Sequence, residues 1–144
     1  PYSKAQIDAL TELSLDIIKR YNIAPTNIIG HSDSAPERKP DPGMSFPWQE
    51  LAQRGIGLFP KFKEQAPKGE KALADLLKEI GYMTENDAQV KASAYAFCRH
   101  FAPEFVTPEK NIRSLIEHPL NSDFSFMESP KFLSAVEQTA MIYK

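Results

Sequence analysis

A short stretch of this 144-residue chain concentrates the side chains best suited to chemistry: Ile28 to Trp48, IIGHSDSAPERKPDPGMSFPW. An apolar pair and a glycine lead into His31, and Lys39 and Asp41 follow in a proline-rich stretch. An imidazole and a carboxylate brought together at the end of a strand and in the loop after it are suitable zinc ligands, because zinc accepts nitrogen and oxygen donors in a small tetrahedral shell. A lysine beside them can stabilise negative charge developing on a carbonyl oxygen. Pro36, Pro40 and Pro42 reduce the loop's freedom in the unfolded chain and so help to hold such donors in place. Taken alone, a histidine and an aspartate at this spacing also fit a purely structural role.

The elements that must position these residues can be read from periodicity. Ile7, Leu10, Leu13, Ile17 and Ile18 recur at helical intervals, so residues 3–21 are expected to form an amphipathic helix. Ser3 is its N-cap, Lys19 and Arg20 favour its C-terminal dipole, and Asn22 stops it. Ala24-Pro25-Thr26 reads as a turn, residues 27–30 as a short buried strand, and residues 31–47 as a long ordered loop. Pro47 opens a short helix that ends near Gly55.

Residues 60–69, with two prolines, a glycine and three lysines, read as an exposed linker. Everything after it has helical period. Leu73, Leu76, Leu77 and Ile80 form one stripe closed by Gly81, and Val90, Ala94, Phe97 and Phe101 form another. Thr107-Pro108 opens a helix to about residue 118, and Ser129-Pro130 opens a last one.

Composition excludes several classes. Seventeen basic against 19 acidic residues, a net charge of −2, force no basic face, so a nucleic-acid partner is not expected. The apolar runs fall far short of the roughly 20 residues that span a bilayer. A single cysteine, Cys98, excludes an internal disulfide and any multi-cysteine zinc site, and it reads as a small buried side chain.

The run His31-Ser-Asp-Ser-Ala-Pro-Glu-Arg-Lys39-Pro-Asp41-Pro-Gly43, closed by Phe46-Pro47-Trp48, resembles the signature of zinc-dependent N-acetylmuramoyl-L-alanine amidases of the type-2 amidase family. The resemblance covers about residues 3–59. It implies cleavage of the amide between N-acetylmuramic acid and the first L-alanine of the peptidoglycan stem. It matches His31 and Asp41 to two zinc ligands and Lys39 to the residue that stabilises the tetrahedral intermediate. The family often has glycine at the position of Glu37 and threonine at that of Pro40. Neither change touches a ligand, though Pro40 can alter the aim of the loop.

The same resemblance implies a third ligand, a histidine, and a catalytic glutamate, both upstream of the opening helix. His31 is the sole histidine before residue 100. The expectation is therefore an α/β fold, part of a mixed-sheet amidase domain over residues 1–59, followed by a linker over 60–69 and a small all-α module over 70–144. Residues 76–82 and 95–103 resemble a small helical peptidoglycan-binding domain, with a plain helical bundle as the alternative. Residues 120–128 are longer than that domain needs.

The remaining candidates divide between function and packing. His100, on a predicted helix, reads as a hydrogen-bonded structural imidazole rather than a third zinc ligand. His118 reads as a helix-end cation. Asp33 reads as a loop or cap carboxylate, since residues so close to His31 cannot easily adopt triad geometry. Trp48 and Phe46 pack under the loop or wall a sugar-binding cleft.

The implied function is a zinc amidase acting on peptidoglycan or muropeptides in the bacterial cell envelope or periplasm, or in cytoplasmic muropeptide recycling. The alternatives are a non-catalytic peptidoglycan-binding module and an intracellular helical interaction protein. With two visible ligands, the 144 residues are expected to be catalytically silent alone. They are also expected to lean on an N-terminal fragment of the same protein or on an oligomer partner.

Overall fold

The structure is a computed structural model that describes residues 1–106 and 123–144. Helix α1 spans Lys4–Tyr21; Ser3 caps it, its hydroxyl accepting from the Gln6 N–H, while the Gln6 side chain accepts from the Ser3 N–H. Asn22, in the left-handed region at φ 51°, ends it. A 3₁₀ turn over Pro25–Asn27 follows, then helix α2 at His31–Ser34 and helix α3 at Trp48–Gln53. Helices α4 at Leu73–Ile80, α5 at Asp87–Phe101 and α6 at Pro130–Ile142 complete the described elements, with 3₁₀ turns at Pro103–Phe105 and Ser125–Glu128.

The larger core lies among α4, α5 and α6. Leu76, Leu77 and Ile80 of α4 meet Ala94, Phe97 and Phe101 of α5 and Phe132, Val136 and Ala140 of α6. Gly81, at φ +116°, lets α4 end and turns the chain so that Tyr82 enters the same core. Phe126 fills the gap beside Phe132, edge-on at 5.0 Å between ring centroids. A smaller core gathers Ile7 of α1, Leu51 of α3 and Ile56, with Leu10, Ile18, Ile28 and Phe46 around them. Among the described residues no helix is long and apolar enough to cross a membrane.

The expected α/β class is not what the structure holds: the described residues contain helices and turns and no strand. The physical reason is local. A strand needs a neighbour for its ladder, and residues 27–30 spend their donors nearby. The Ile28 N–H donates to the Pro25 carbonyl at 3.2 Å, and the Gly30 N–H donates to the Asp33 carboxylate at 2.8 Å. Nor is the segment buried on both faces, since Ile28 packs on the smaller core and Ile29 is 50% exposed. The expected loop after it begins as a helical turn, with the His31 carbonyl accepting from the Ala35 N–H at 2.9 Å.

Residues 60–69 are exposed or half-buried and run along α6, tied to it by polar contacts. The Lys63 N–H donates to the Gln138 side chain at 2.8 Å, which donates back to the Lys63 carbonyl at 3.0 Å. The Lys68 and Gly69 N–H groups both donate to the Glu137 carboxylate, at 2.8 and 2.9 Å. The predicted helix after Thr107, together with His118 and the start of the 120–128 stretch, lies outside the described residues.

Phe132 has no exposed surface, and edge-on rings of Phe97, Phe105 and Phe126 surround it. Phe132→Ala is expected to cost about 3–5 kcal/mol in urea unfolding. Met141→Ala on the exposed face of the same helix should stay within roughly 0.5 kcal/mol of the parent.

Candidate functional site

His31 opens α2 and Asp41 closes the loop behind it. The Ser32 N–H donates to the Asp41 carbonyl at 2.8 Å, which folds the loop back across the first turn of the helix. His31 Nδ1 consequently lies 3.1 Å from Asp41 Oδ2, and both side chains are about half exposed, at 49% and 59%. Lys39 sits in the turn between them; its N–H donates to the Ala35 carbonyl at 2.9 Å and its side chain is half-buried. Among the described residues, no three histidine, cysteine, aspartate or glutamate side chains converge as a metal cluster.

The donor pair can be tested against zinc. Ligands at about 2.0–2.1 Å and tetrahedral angles stand about 3.3 Å apart. The observed nitrogen-to-oxygen separation is close to that edge, and a nitrogen and a carboxylate oxygen are both ordinary zinc donors. The two residues fit as one edge of a tetrahedron and leave its other corners to groups from elsewhere.

Beneath this pair lies a second, buried constellation. Asp33 is 8% exposed, yet its carboxylate is fully engaged. Oδ1 accepts from the Tyr82 hydroxyl at 2.6 Å; Oδ2 accepts from the Gly30 N–H at 2.8 Å and faces His100 Nδ1 at 2.7 Å. His100 Nε2 lies 3.1 Å from the Leu58 carbonyl, which can only accept. Both ring nitrogens therefore lie within hydrogen-bond distance of an oxygen. The imidazole is stacked between Trp48, at 3.8 Å and 15°, and Phe101, at 3.9 Å and 6°.

Burial pushes the Tyr82 phenol well above its ordinary value, and the Asp33 charge adds to this. Tyr143, across a cavity of about 220 Å³ lined also by Asp33, Tyr82 and His100, is pushed up to about 12, by burial first and the Asp33 charge second. Cys98 is fully buried, and burial raises its thiol well above the ordinary range, so it is packing rather than a nucleophile.

Of the residues singled out from sequence, the structure brings His31 and Asp41 into contact. His100 is a hydrogen-bonded buried imidazole, and Asp33 caps the Gly30 N–H. Trp48 is buried under the loop, with Phe46 edge-on to it at 4.9 Å. The partnership of Asp33 with His100 and Tyr82 escaped sequence reasoning. One signal pointed to it: His100 falls beside an apolar stripe on α5, where an imidazole requires a partner.

The segment that carries the pair is similar to known proteins. Residues 1–44 match the profile of the N-acetylmuramoyl-L-alanine amidase family. Over 122 residues the chain is 39% identical to N-acetylmuramoyl-L-alanine amidase AmiD of Escherichia coli (strain K12), covering 76% of this chain and 44% of that protein. Over its first 44 residues the chain is similar to the N-acetylmuramoyl-L-alanine amidase family. The structure of E. coli AmiD in complex with anhydro-N-acetylmuramic acid-L-Ala-D-gamma-Glu-L-Lys matches with a TM-score of 0.69 and 30% identity, over 99% of this chain and 53% of that one. The crystal structure of AMPDH3 from Pseudomonas aeruginosa matches with a TM-score of 0.70 and 27% identity, over 99% of this chain and 54% of that one. The chain thus spans about half the length of the relatives it matches.

Two substitutions test the geometry around Gly30. A Cβ there would stand 2.7 Å from the Pro42 ring and 3.4 Å from both Asp33 Oδ2 and the Trp48 ring. Gly30→Ala should therefore cost roughly 1–3 kcal/mol by denaturant titration. Tyr82→Phe should cost about 1–3 kcal/mol at neutral pH, because a buried carboxylate oxygen loses its donor.

The pH dependence of that second variant follows from the raised phenol. Its stabilising effect is complete below the unfolded value near 10 and is lost as pH rises toward the folded value. Urea midpoints of parent and Tyr82→Phe should accordingly converge above pH 10. A gap that stays constant to pH 11 would contradict the assignment.

Proposed function

We propose that this chain carries part of the centre of a zinc amidase that hydrolyses the amide between N-acetylmuramic acid and the L-alanine of a peptidoglycan stem peptide. The observation that carries the reading is the approach of His31 Nδ1 to Asp41 Oδ2 at 3.1 Å, in an exposed position, within the segment that matches the family. The muropeptide bound in the AmiD relative supports the same substrate class.

In this reading His31 and Asp41 hold zinc, and a further donor comes from outside the described residues. Zinc at such a site supplies a water activated at neutral pH. The residues of this chain do the rest. The pair, fixed through the Gly30–Asp33 turn, sets the direction from which a substrate is met. Lys39 presents its ammonium to the carbonyl oxygen on which negative charge develops, where a preorganised donor has its largest effect. Helices α4, α5 and α6, joined through residues 60–69, form the part that holds glycan or stem peptide. A muropeptide substrate fits the bacterial envelope or periplasm, or cytoplasmic muropeptide recycling.

The test follows zinc and product together. Competition against a chromophoric chelator should show zinc bound by the parent and lost in both His31→Ala and Asp41→Ala. Lys39→Ala should keep the metal while release of peptide from an anhydromuramyl peptide, followed by chromatography in the protein with its full ligand set, falls by about 10²–10³-fold. Zinc retained after both ligand substitutions would refute the site. Co-sedimentation with insoluble peptidoglycan without any hydrolysis would favour a binding module instead.

A further inference from the structure

We propose that His100, on helix α5, is a positioning residue for the His31–Asp41 pair, an inference that rests on the metal reading of that pair. The two donors are half exposed, and among the described residues each is the other's side-chain partner. Their placement therefore depends on the backbone that carries them. That backbone is one turn. Gly30 immediately precedes His31, and its N–H is held by Asp33 Oδ2 at 2.8 Å, which sets where α2 begins and so the direction of the His31 side chain.

Ser32, between His31 and Asp33, holds the Asp41 carbonyl at 2.8 Å, and the Pro42 ring abuts Gly30. Both donors thus hang from Gly30–Asp33. His100 fixes that turn from below: Nδ1 meets the same Asp33 Oδ2 at 2.7 Å, Nε2 meets Leu58, and Trp48 and Phe101 clamp the ring. Outer partners of this kind commonly change metal affinity by about 10–100-fold when removed.

A purely structural role for His100 would lower stability without changing the donor pair in the folded fraction. Two replacements separate the roles. Asparagine places an amide nitrogen near the Nδ1 position and can still donate to Asp33. Glutamine places its amide near the Nε2 position and keeps the Leu58 contact alone. Val136→Ala, in the α6 core away from Asp33, serves as a variant that loses stability only.

Two readouts are taken on the full chain. The first is the side-chain nitrogen–proton spectrum of His31 without metal, which reports the Nδ1 contact to Asp41. The second is zinc affinity by chelator competition. His100→Gln should shift the His31 signal toward that of a free imidazole and weaken zinc by about 10–100-fold. His100→Asn and Val136→Ala should leave both close to the parent. Equal behaviour of the Asn and Gln variants, or a His31 shift in Val136→Ala that follows its loss of stability, would overturn the proposal. If the parent binds no zinc, the metal reading fails, while the metal-free His31 spectra still decide the role of His100.

Discussion

The Asp33 carboxylate is the group on which the arrangement of this molecule turns. A carboxylate taken out of water carries a desolvation penalty of several kcal/mol unless donors replace the lost hydration. Here the donors come from three places far apart in sequence: Gly30 beside it, Tyr82 after α4, and His100 near the end of α5. Removing one partner would leave the rest buried and uncompensated. That asymmetry makes the contact specify a single docking of the first 59 residues against the helices, whatever its net contribution to stability.

The apolar packing around it follows the same geometry. Trp48 covers Gly30 and Gly57 with its ring and stacks on His100 with the same face system, so one side chain closes both the loop and the imidazole. Gly30 has to be glycine because the Pro42 ring occupies the space a Cβ would need. Tyr2 reinforces the arrangement from the surface, its hydroxyl donating to the Pro42 carbonyl at 2.6 Å and its ring edge-on to Phe46. The loop that carries Asp41 is therefore held by rings and a proline as much as by hydrogen bonds.

Much of this was legible from residue order. The stripe Leu73, Leu76, Leu77 and Ile80, the stripe Val90, Ala94, Phe97 and Phe101 and the proline at the start of α6 each act over a few residues, and each produced the expected helix. The His31–Asp41 contact was legible because the chain between them is short and proline-rich. Residues 27–30 were misread because an apolar pair before a glycine records only that the segment is partly covered. Ladder hydrogen bonds depend on a neighbour that the local sequence does not contain. The Asp33–His100 pair, 67 residues apart, could not be paired from spacing; an imidazole near an apolar stripe announces that it needs a partner without naming it.

The described residues hold two histidine–aspartate contacts built from the same residue types, and environment separates their roles. His31 and Asp41 meet at 3.1 Å in solvent, where water competes for both and the direct contact adds little to stability. They are accessible, and their separation suits a cation between them. His100 and Asp33 meet at 2.7 Å with side chains 1% and 6% exposed, and both carboxylate oxygens and both ring nitrogens have a hydrogen-bond partner. A metal there would have to displace a donor that nothing nearby could replace. The buried pair is thus unsuited to chemistry for the reason that suits it to support, and within a single helical turn only Ser32 separates its Asp33 from His31 of the exposed one.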